Sequence, residues 1–405
     1  MNIWLISLFD PTPLDEPIFP RFIEIAKAAV TQGHTVKHFT STFRHNKKEH
    51  RFESSQDVKI QDGYDVIFTR SMSYRKNMFP KRFIAHGDYA KKLVKQFNRF
   101  SKPNVIFMSM PPLSTVREVT KWGKENDVPV VIDIIDPWPD SFIKDVPRLI
   151  KPFAKTIIKP FYNKLKKTFR DASAITAISN GYLKWAKEFH DIGKPTKPFF
   201  LAIDVDEVKK ITDKLIKNPI TERPLRLIYA GSLASSYDIP SILKAAAIIE
   251  KKYPGRTEFI FTGKGPQLEM IERYSNENEN IVYLGWLSRN ELLSQYGLAD
   301  IGLIQHKNSL TQTITYKFFN YMSAGLVLLN SLQSEMAEMI EKHDLGLNNK
   351  EQDYNSLAKN IESYLINPKL LERQKDNVID FTNENGHTKR VYLKLVKFLE
   401  ELAIS

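Results

Sequence analysis

Cysteine is absent from the sequence, so disulfides, thiolate nucleophiles and cysteine metal sites are excluded. This absence fits a protein of a reducing cytoplasm. Nine histidines are present, but their spacing is not typical of metal ligands, and we predict no metal site. No apolar run approaches the roughly 20 residues that a membrane-spanning helix needs. The N-terminal segment MNIWLISLFD lacks the basic region and cleavage site of a signal peptide, and it is typical of a buried strand.

Acidic residues are scarce in one half of the chain. Residues 1–200 contain 34 lysines and arginines against 20 acidic residues, whereas residues 201–405 contain 25 against 27. The net charge of +12 therefore comes from the first half. Such a one-sided basic surface is typical of proteins that bind nucleic acid or an anionic membrane. Aromatic platforms interleaved in basic strands are missing, which argues against nucleic acid.

Short apolar runs alternate with helical patterns along the whole chain. This alternation predicts parallel sheets covered by helices on both faces. We predict an α/β protein with two doubly wound, Rossmann-like domains, at residues 1–203 and 204–386. The last segment, 387–405, is predicted to be an amphipathic helix that returns to the first domain.

Three loops of the second domain follow predicted strands, where ligands of doubly wound sheets bind. Their sequences are AGSLASS, TGKGP and QHKNSLTQTITYK. Gly231, Gly263 and Gly265 would let backbone amides approach a phosphate, although each also fits a plain turn. Thr315 and Lys317 lie at the start of the next helix, where a hydroxyl, a cation and free amides suit a diphosphate. Alternatively, Thr315 caps this helix and Lys317 is solvated.

The segment RLIKPFAKTIIKPFYNKLKKTFR, at residues 148–170, contains no acidic residue. Its apolar residues recur in pairs four positions apart, with cations between them, and Pro160 is expected to kink the helix. This pattern predicts a helix lying in an anionic membrane interface. The alternative is a core-packed helix with a solvated basic face. The predicted membrane-binding residues are Lys151, Lys155, Lys159, Lys164, Lys166 and Lys167.

Several motifs occur in an order typical of one group of enzymes. Arg21 precedes GHTV by twelve residues, and MSMPPLSTV, DIIDPWPDSF and ASAITAIS follow. The second half adds YAGSL, FTGKGP, NIVYLGWLSRNEL, ADIGLI and YKFFNYMSAG. In these motifs the chain resembles two-domain GT-B glycosyltransferases of family 4, especially bacterial enzymes that build O-antigen, capsule and colanic acid. The resemblance implies two domains that face a cleft.

The resemblance also implies roles for individual residues. Asp136 follows the strand VVIDI and would lie near the acceptor or the reacting centre, although Asp before Pro is also ordinary turn chemistry. Arg21 and Lys317 would contact the diphosphate of the donor. Asp133 is expected to form a cap or a pair inside the domain rather than to contact a ligand. The implied donor-binding residues are Gly231, Ser232, Gly263, Gly265, Tyr283, Gln312, Thr315, Asn320 and Glu335. No cofactor is implied, and uridine diphosphate is the expected carrier of the donor sugar.

Two of these positions depart from the pattern of the family. Many retaining members carry two glutamates, of which the second holds the nucleotide ribose and the first meets the donor sugar. Gln312 and Asn320 occupy the corresponding positions. An amide still forms hydrogen bonds with ribose hydroxyls but supplies no negative charge. The segment around Glu335 differs as well, since Ser334 replaces a glycine of the family.

The resulting hypothesis is a retaining hexosyl- or N-acetylhexosaminyl-transferase that uses a sugar nucleotide. It would extend a polyprenyl-diphosphate-linked glycan at the cytoplasmic face of the cell membrane, as a peripheral protein. Two alternatives remain at this stage. One is a sugar-nucleotide 2-epimerase of the same fold, and the other is a non-catalytic, degenerate partner of another glycosyltransferase.

Overall fold

The computed structural model describes residues 1–15, 20–75, 81–143, 151–189, 193–215, 218–307 and 313–404. Within them the chain divides into two compact units. Unit 1 comprises Met1–Phe200 and Val391–Ser405, and unit 2 comprises Leu201–Arg390. The sequence had suggested divisions after residues 203 and 386.

Unit 1 contains an eight-stranded sheet in the order β10-β9-β8-β7-β1-β2-β6-β5. All neighbouring strands are parallel except β5 and β6, which are antiparallel. The short strands β3 and β4 form a separate antiparallel hairpin. The strands are β1 (Asn2–Ile6), β2 (Thr35–Ser41), β3 (Phe43–Arg44), β4 (Glu49–His50), β5 (Gln56–Gln61), β6 (Tyr64–Thr69), β7 (Val105–Met110), β8 (Val130–Ile134), β9 (Ala174–Ala177) and β10 (Thr196–Pro198).

The central strands of unit 1 are mostly apolar and buried because helices cover both faces of the sheet. In β7, for example, all six residues are buried. Ser179 caps the helix Asn180–Lys187 by accepting a hydrogen bond from the backbone amide of Tyr182. The helices are α1 (Arg21–Thr31), α2 (Lys81–Phe97), α3 (Leu113–Glu125), α4 (Asp140–Ile143), α5 (Lys151–Asp171) and α6 (Asn180–Lys187).

Unit 2 contains a six-stranded sheet in the order β13-β12-β11-β14-β15-β16, and all its pairings are parallel. The strands are β11 (Leu225–Ala230), β12 (Thr257–Thr262), β13 (Ile281–Tyr283), β14 (Ile301–Ile304), β15 (Val327–Asn330) and β16 (Gly346–Asn348). The helices are α7 (Val205–Thr212), α8 (Ile239–Lys252), α9 (Leu268–Glu277), α10 (Arg289–Leu298), α11 (Tyr316–Ser323), α12 (Glu335–His343), α13 (Tyr354–Ile366) and α14 (Pro368–Asn385). The last helix, α15 (Thr388–Ile404), continues into unit 1.

The architecture confirms the predicted α/β fold with parallel sheets. Strands without an apolar run in the sequence are short or polar, as β5 shows. Its sequence, QDVKIQ, has no fully buried residue, because β5 is the edge strand of the sheet. An edge strand buries little apolar surface, and it therefore lacks the apolar run on which the prediction depended.

Candidate active site

The carboxyl ends of the unit 2 strands bring together the described parts of the loops singled out in the sequence. Because β12, β11, β14 and β15 are consecutive neighbours in the sheet, the segments that follow them lie at one edge. Gly231 follows β11 and Gly263 follows β12, while α11 and α12 come after β14 and β15. This edge is where parallel α/β sheets bind their ligands.

Lys317, in the first turn of α11, is enclosed rather than solvated. Its Nζ lies 4.4 Å from the ring centroid of Tyr229 and 5.1 Å from that of Tyr237. The same Nζ donates a hydrogen bond to the carbonyl oxygen of Ala230. Gly231 makes room for it, since a Cβ added there would lie 2.5 Å from Nζ. The solvated alternative for Lys317 is therefore wrong.

Burial lowers the pKa of Lys317 from its ordinary 10.5 to about 7. The side chain is partly exposed along its length, but the ammonium end is packed among the tyrosine rings. A neutral carbonyl and two aromatic faces stabilise a cation without neutralising its charge. The site therefore favours the arrival of an anion.

Thr315, the N-cap residue of α11, does not cap the helix with its side chain. Its Oγ1 is buried and has no hydrogen-bond partner within the described part of the chain. The capping alternative is therefore wrong as well. A buried hydroxyl without a partner is costly, unless a ligand supplies the missing hydrogen bond.

The glycines differ from their predicted role. The amide of Gly231 donates to the Thr262 carbonyl over 3.0 Å, and that of Gly263 donates to the Gly285 carbonyl over 2.9 Å. These two amides are thus engaged within the fold. Gly263 and Gly265 both have positive φ, and a Cβ on either would clash with the backbone of the loop after β11. Their absent side chains let the two loops pack backbone against backbone.

Ser232 and Tyr283 support the same loops. The side chain of Ser232 is exposed, and its carbonyl oxygen accepts a hydrogen bond of 2.6 Å from the Tyr229 hydroxyl. The Tyr283 hydroxyl donates to the carbonyl of Gly263 over 2.8 Å. The tyrosine hydroxyls therefore fix the carbonyls at this edge of the sheet, and Ser232 presents its own hydroxyl to solvent.

Asn320 lies one turn after Lys317 on α11 and is partly exposed. Glu335 is the first residue of α12, where a carboxylate also stabilises the helix dipole. The hydroxyl of Ser334 donates to the carbonyl of Thr313 over 2.8 Å, so the starts of α11 and α12 lie side by side. Gln312 lies outside the described residues.

Trp286 was missed by the sequence analysis. It follows β13 at the same edge of the sheet, and its side chain is 58% exposed. The Lys264 ammonium lies 5.9 Å from the centroid of its ring. Its exposure is what marks Trp286 as a candidate ligand contact. The sequence alone does not show whether a tryptophan is buried or exposed, and the residue was therefore missed.

Arg21 has a different environment from the predicted one. It is buried, and its Nε and Nη2 donate to the two carboxylate oxygens of Asp133 over 3.0 and 3.2 Å. Its Nη1 donates to the carbonyl of Phe200, and Thr176 donates to Asp133 as well. This network ties α1 to β8 and β9, so we reassign Arg21 from the diphosphate to the core of unit 1. The internal pairing expected for Asp133 is present.

Asp136 lies in the loop after β8, at the carboxyl edge of the unit 1 sheet. Its two carboxylate oxygens accept hydrogen bonds from Trp138 Nε1, over 2.9 Å, and from the hydroxyl of Ser141. The side chain is partly exposed. These bonds show that Asp136 holds its own turn together, as the alternative interpretation proposed.

Asp10 is a second carboxyl group at this edge that the sequence analysis did not consider for the site. It follows β1, and burial raises its pKa to about 7, against the opposing effect of Arg21 and with a contribution from Asp133. A carboxyl group with such a pKa changes charge near neutral pH. This is the property of a general acid or base, although buried ion-pair networks produce it too.

Residues 151–170 of the predicted membrane segment lie in α5, and residues 148–150 lie outside the described residues. Its cations Lys159, Lys164, Lys166 and Lys167 are exposed, whereas Leu165 and Phe169 are fully buried. Lys151 and Lys155 lie on the same helix, and their side chains are outside what the structure describes. Phe153 is 70% exposed. The C-terminal half of the helix therefore packs into unit 1 while its basic face meets solvent.

None of the helices within the described residues is both long enough and apolar enough to cross a membrane. Among the same residues, no group of three or more histidines and acidic residues is placed to hold a metal ion.

Residues 210–381 match the model of the family described as Glycosyl transferases group 1. The match lies within unit 2 and includes β11 to β16. Unit 2 thus carries a glycosyltransferase group 1 domain. The prediction that the protein is an enzyme, a glycosyltransferase, is confirmed by this match. A comparison with curated proteins gave no significant match.

Solved structures confirm the predicted GT-B fold. Sucrose-phosphate synthase from Thermosynechococcus elongatus is 13% identical, with 100% of both chains covered and a TM-score of 0.72. The trehalose 6-phosphate synthase of Burkholderia multivorans is 12% identical, with 100% of this chain and 97% of that chain covered and a TM-score of 0.72. HepE from Anabaena in complex with UDP is 12% identical, with 99% of both chains covered and a TM-score of 0.66. At these identities the likeness establishes the fold alone.

Proposed function

We propose that the protein is a retaining glycosyltransferase whose unit 2 binds the diphosphate of a sugar nucleotide at the start of α11. One observation carries this proposal: a buried ammonium and a buried, unpartnered hydroxyl lie at the same helix N-terminus, at the ligand-binding edge of the sheet. Lys317 and Thr315 supply these two groups. A diphosphate would give Thr315 its missing partner and give Lys317 a counter-ion.

The chemistry follows from these contacts. In glycosyl transfer an acceptor hydroxyl oxygen bonds to the anomeric carbon of the sugar while the bond from that carbon to the diphosphate oxygen breaks. The hydroxyl proton passes to the leaving diphosphate, on which negative charge grows as the bond breaks. An ammonium held in place by Tyr229 and Tyr237 stabilises this charge more in the transition state than in the ground state. Asn320, one turn further along α11, would hold the ribose hydroxyls through its amide.

The proposed donor is a uridine diphosphate sugar. Support comes from the HepE structures, which are complexes with UDP and with UDP-glucose. Support also comes from Trp286, whose exposed ring offers a stacking surface for a nucleobase. Equilibrium binding of UDP-glucose, GDP-mannose and dTDP-glucose tests the assignment. We expect UDP-glucose to bind most tightly and Lys317→Met to weaken its binding; failure of all three to bind would contradict the proposal.

The proposed acceptor is a glycan on a polyprenyl diphosphate, used at an anionic membrane surface in the synthesis of a bacterial cell-surface polysaccharide. The exposed cations of α5 and the exposed Phe153 support this part. Each cation near an anionic surface contributes about 1 kcal/mol at low salt, and an inserted aromatic side chain adds to it. Ile84 and Met72, 55% and 50% exposed, provide further apolar surface on unit 1.

Sedimentation with vesicles that contain an acidic phospholipid tests membrane binding. The variant replaces Lys159, Lys164, Lys166 and Lys167 with Gln. The matched control removes four exposed lysines of unit 2, namely Lys209, Lys210, Lys251 and Lys252. We expect wild type and control to sediment at low salt and the α5 variant to stay in the supernatant. Equal sedimentation of both variants, or none by wild type, would contradict membrane binding through α5.

A further inference from the structure

Unit 1 contains a recess that has no role in the donor site. It opens at the carboxyl ends of β1, β2 and β6 and is closed by the N-terminal half of α2. Ring side chains form much of its wall, and with its open mouth it encloses about 240 Å³ of empty space. Its lining includes Phe9, His45, Tyr74, His86 and Tyr89.

Two buried polar atoms on the wall of this recess lack partners. His86 is 2% exposed and Tyr89 is 0% exposed. Among the described residues, neither His86 Nε2 nor the Tyr89 hydroxyl has a hydrogen-bond partner. A buried hydrogen-bonding group without a partner destabilises the fold, so two on one recess point to a ligand that satisfies them. Both residues lie on α2, three positions apart and hence on one face of the helix.

The polar groups of the recess are neutral near pH 7. Burial lowers the pKa of His86 to about 3 and that of His45 to about 4, and in both cases the Arg82 charge adds to the effect. His45 Nδ1 is engaged by the Tyr74 hydroxyl over 2.5 Å. Phe9 and Tyr74 lie with their ring centroids 5.3 and 6.0 Å from that of His86. Neutral hydrogen-bonding groups among apolar rings suit a hydroxyl rather than a charged group.

The recess as a whole has room for about one water molecule. A single hydroxyl or hydroxymethyl group therefore fits there, with the bulk of its molecule remaining at the mouth. The recess is also linked to the loop of Asp136. The Trp138 ring lies 6.1 Å from that of His86, and its Nε1 donates to Asp136.

We infer that this recess is a subsite for the acceptor, in which His86 and Tyr89 bind one hydroxyl of a neutral sugar. The inference rests on the proposed function for the identity of that sugar as the glycosyl acceptor. Tyr89 and His86 would then be specificity residues, because a site built around a hydroxyl rejects analogues that lack it.

The test uses Tyr89→Phe, which removes the unpartnered hydroxyl and nothing else. Tyr64→Phe is the matched control, since the Tyr64 hydroxyl is also buried but bonds to His38 Nδ1 over 3.3 Å. The probes are methyl α-glucoside, methyl α-mannoside and methyl N-acetyl-β-glucosaminide. Saturation-transfer NMR measures their binding to the full chain. We expect at least one glycoside to bind wild type, and Tyr89→Phe to weaken that binding about three- to tenfold. Tyr64→Phe should bind as wild type does.

Thermal melting separates this role from a structural one. Removing an unpartnered hydroxyl should leave the melting temperature of Tyr89→Phe unchanged or raise it, whereas Tyr64→Phe should melt lower. If Tyr89→Phe binds every glycoside as wild type does, or if wild type binds none, the inference is overturned and the recess holds no more than a water molecule.

UDP-glucose binding distinguishes a failure of this inference from a failure of the proposed function. Glycoside binding that depends on Tyr89, without any UDP-glucose binding, would leave the recess a sugar site while contradicting the donor assignment. UDP-glucose binding without glycoside binding that depends on Tyr89 would contradict the assignment of the recess and leave the donor assignment intact.

Discussion

At pH 7 about half of the unliganded protein should carry Lys317 in its neutral form, because burial lowers its pKa to about 7. The change from 10.5 corresponds to an upper bound of about 5 kcal/mol against the charged form, less to the extent that the partly exposed side chain is screened by solvent. A bound diphosphate supplies the missing negative charge and raises the pKa again. Donor binding should therefore take up a proton, about 0.5 per site at pH 7 and about 0.9 at pH 8.

Calorimetry of UDP-glucose binding in buffers of different ionisation enthalpy measures this uptake directly. UDP-glucose is the suitable probe because its diphosphate is a diester with no proton that titrates near neutral pH. The dissociation constant should rise about tenfold between pH 6 and pH 8, since only the protonated lysine binds well. Lys317→Met should bind more weakly and show neither proton uptake nor this pH dependence.

Lys244→Met is the matched control, because the Lys244 ammonium also lies over a tyrosine ring, 5.0 Å from the centroid of Tyr354, but its side chain is exposed. This variant should keep the wild-type pH dependence. If wild type binds UDP-glucose without proton uptake between pH 7 and 8, Lys317 does not gain its charge on binding, and the reasoning is refuted.

Four further substitutions give distinct outcomes. Arg21→Ala should lower the free energy of unfolding, measured by urea denaturation, by about 3–5 kcal/mol, because it leaves Asp133 buried without its cation. If this variant unfolds like wild type but no longer binds the donor, Arg21 belongs to the donor site after all. For Asp10, whose pKa is raised to about 7, the stability contributed by the protonated carboxyl is fully present below about pH 4 and is lost as pH rises through 7. Asp10→Asn should therefore stabilise the fold by about 2–4 kcal/mol at pH 8 and by little at pH 4; equal melting shifts at both would contradict this. Asn320→Glu should keep or improve UDP-glucose affinity, whereas loss of binding in this variant with Asn320→Ala unaffected would show that Asn320 does not face ribose. Trp286→Ala should weaken UDP-glucose binding by about 1–3 kcal/mol in the same titration, and unchanged affinity would remove Trp286 from the base site.

The sequence predicted the fold well because parallel strands buried on both faces leave near-continuous apolar runs. Two of the short, mostly apolar runs of the sequence form β11 (Leu225–Ala230) and β9 (Ala174–Ala177). The hairpin Phe43–Arg44 and Glu49–His50 has two residues in each strand, too few for a periodic pattern. Yet this hairpin leads directly into the recess, since Phe43 and His45 line it.

The candidate site was predictable in its location but not in its contacts. Loop sequences pointed to the correct edge of the sheet, and Lys317 was found on the correct helix. Long-range pairings are not written in local sequence, and so the pairing of Arg21 with Asp133, 112 residues away, was missed. The same holds for the enclosure of Lys317 by Tyr229 and Tyr237, which lie about 80 to 90 positions earlier in the chain.

The release of nucleoside diphosphate from UDP-glucose and other nucleotide sugars, measured with a short-chain prenyl-diphosphate N-acetylglucosamine as acceptor, tests the central claim most directly. Wild type should release the diphosphate faster with the acceptor than without it. Lys317→Met should lower that rate by a factor of about ten to a hundred, because the variant lacks one charge-assisted contact to the leaving group. If wild type binds the nucleotide sugar but releases no diphosphate with any acceptor, the protein binds donors without transferring sugar. If it neither binds nor releases any of them, the assignment of the α11 site to a nucleotide sugar is wrong.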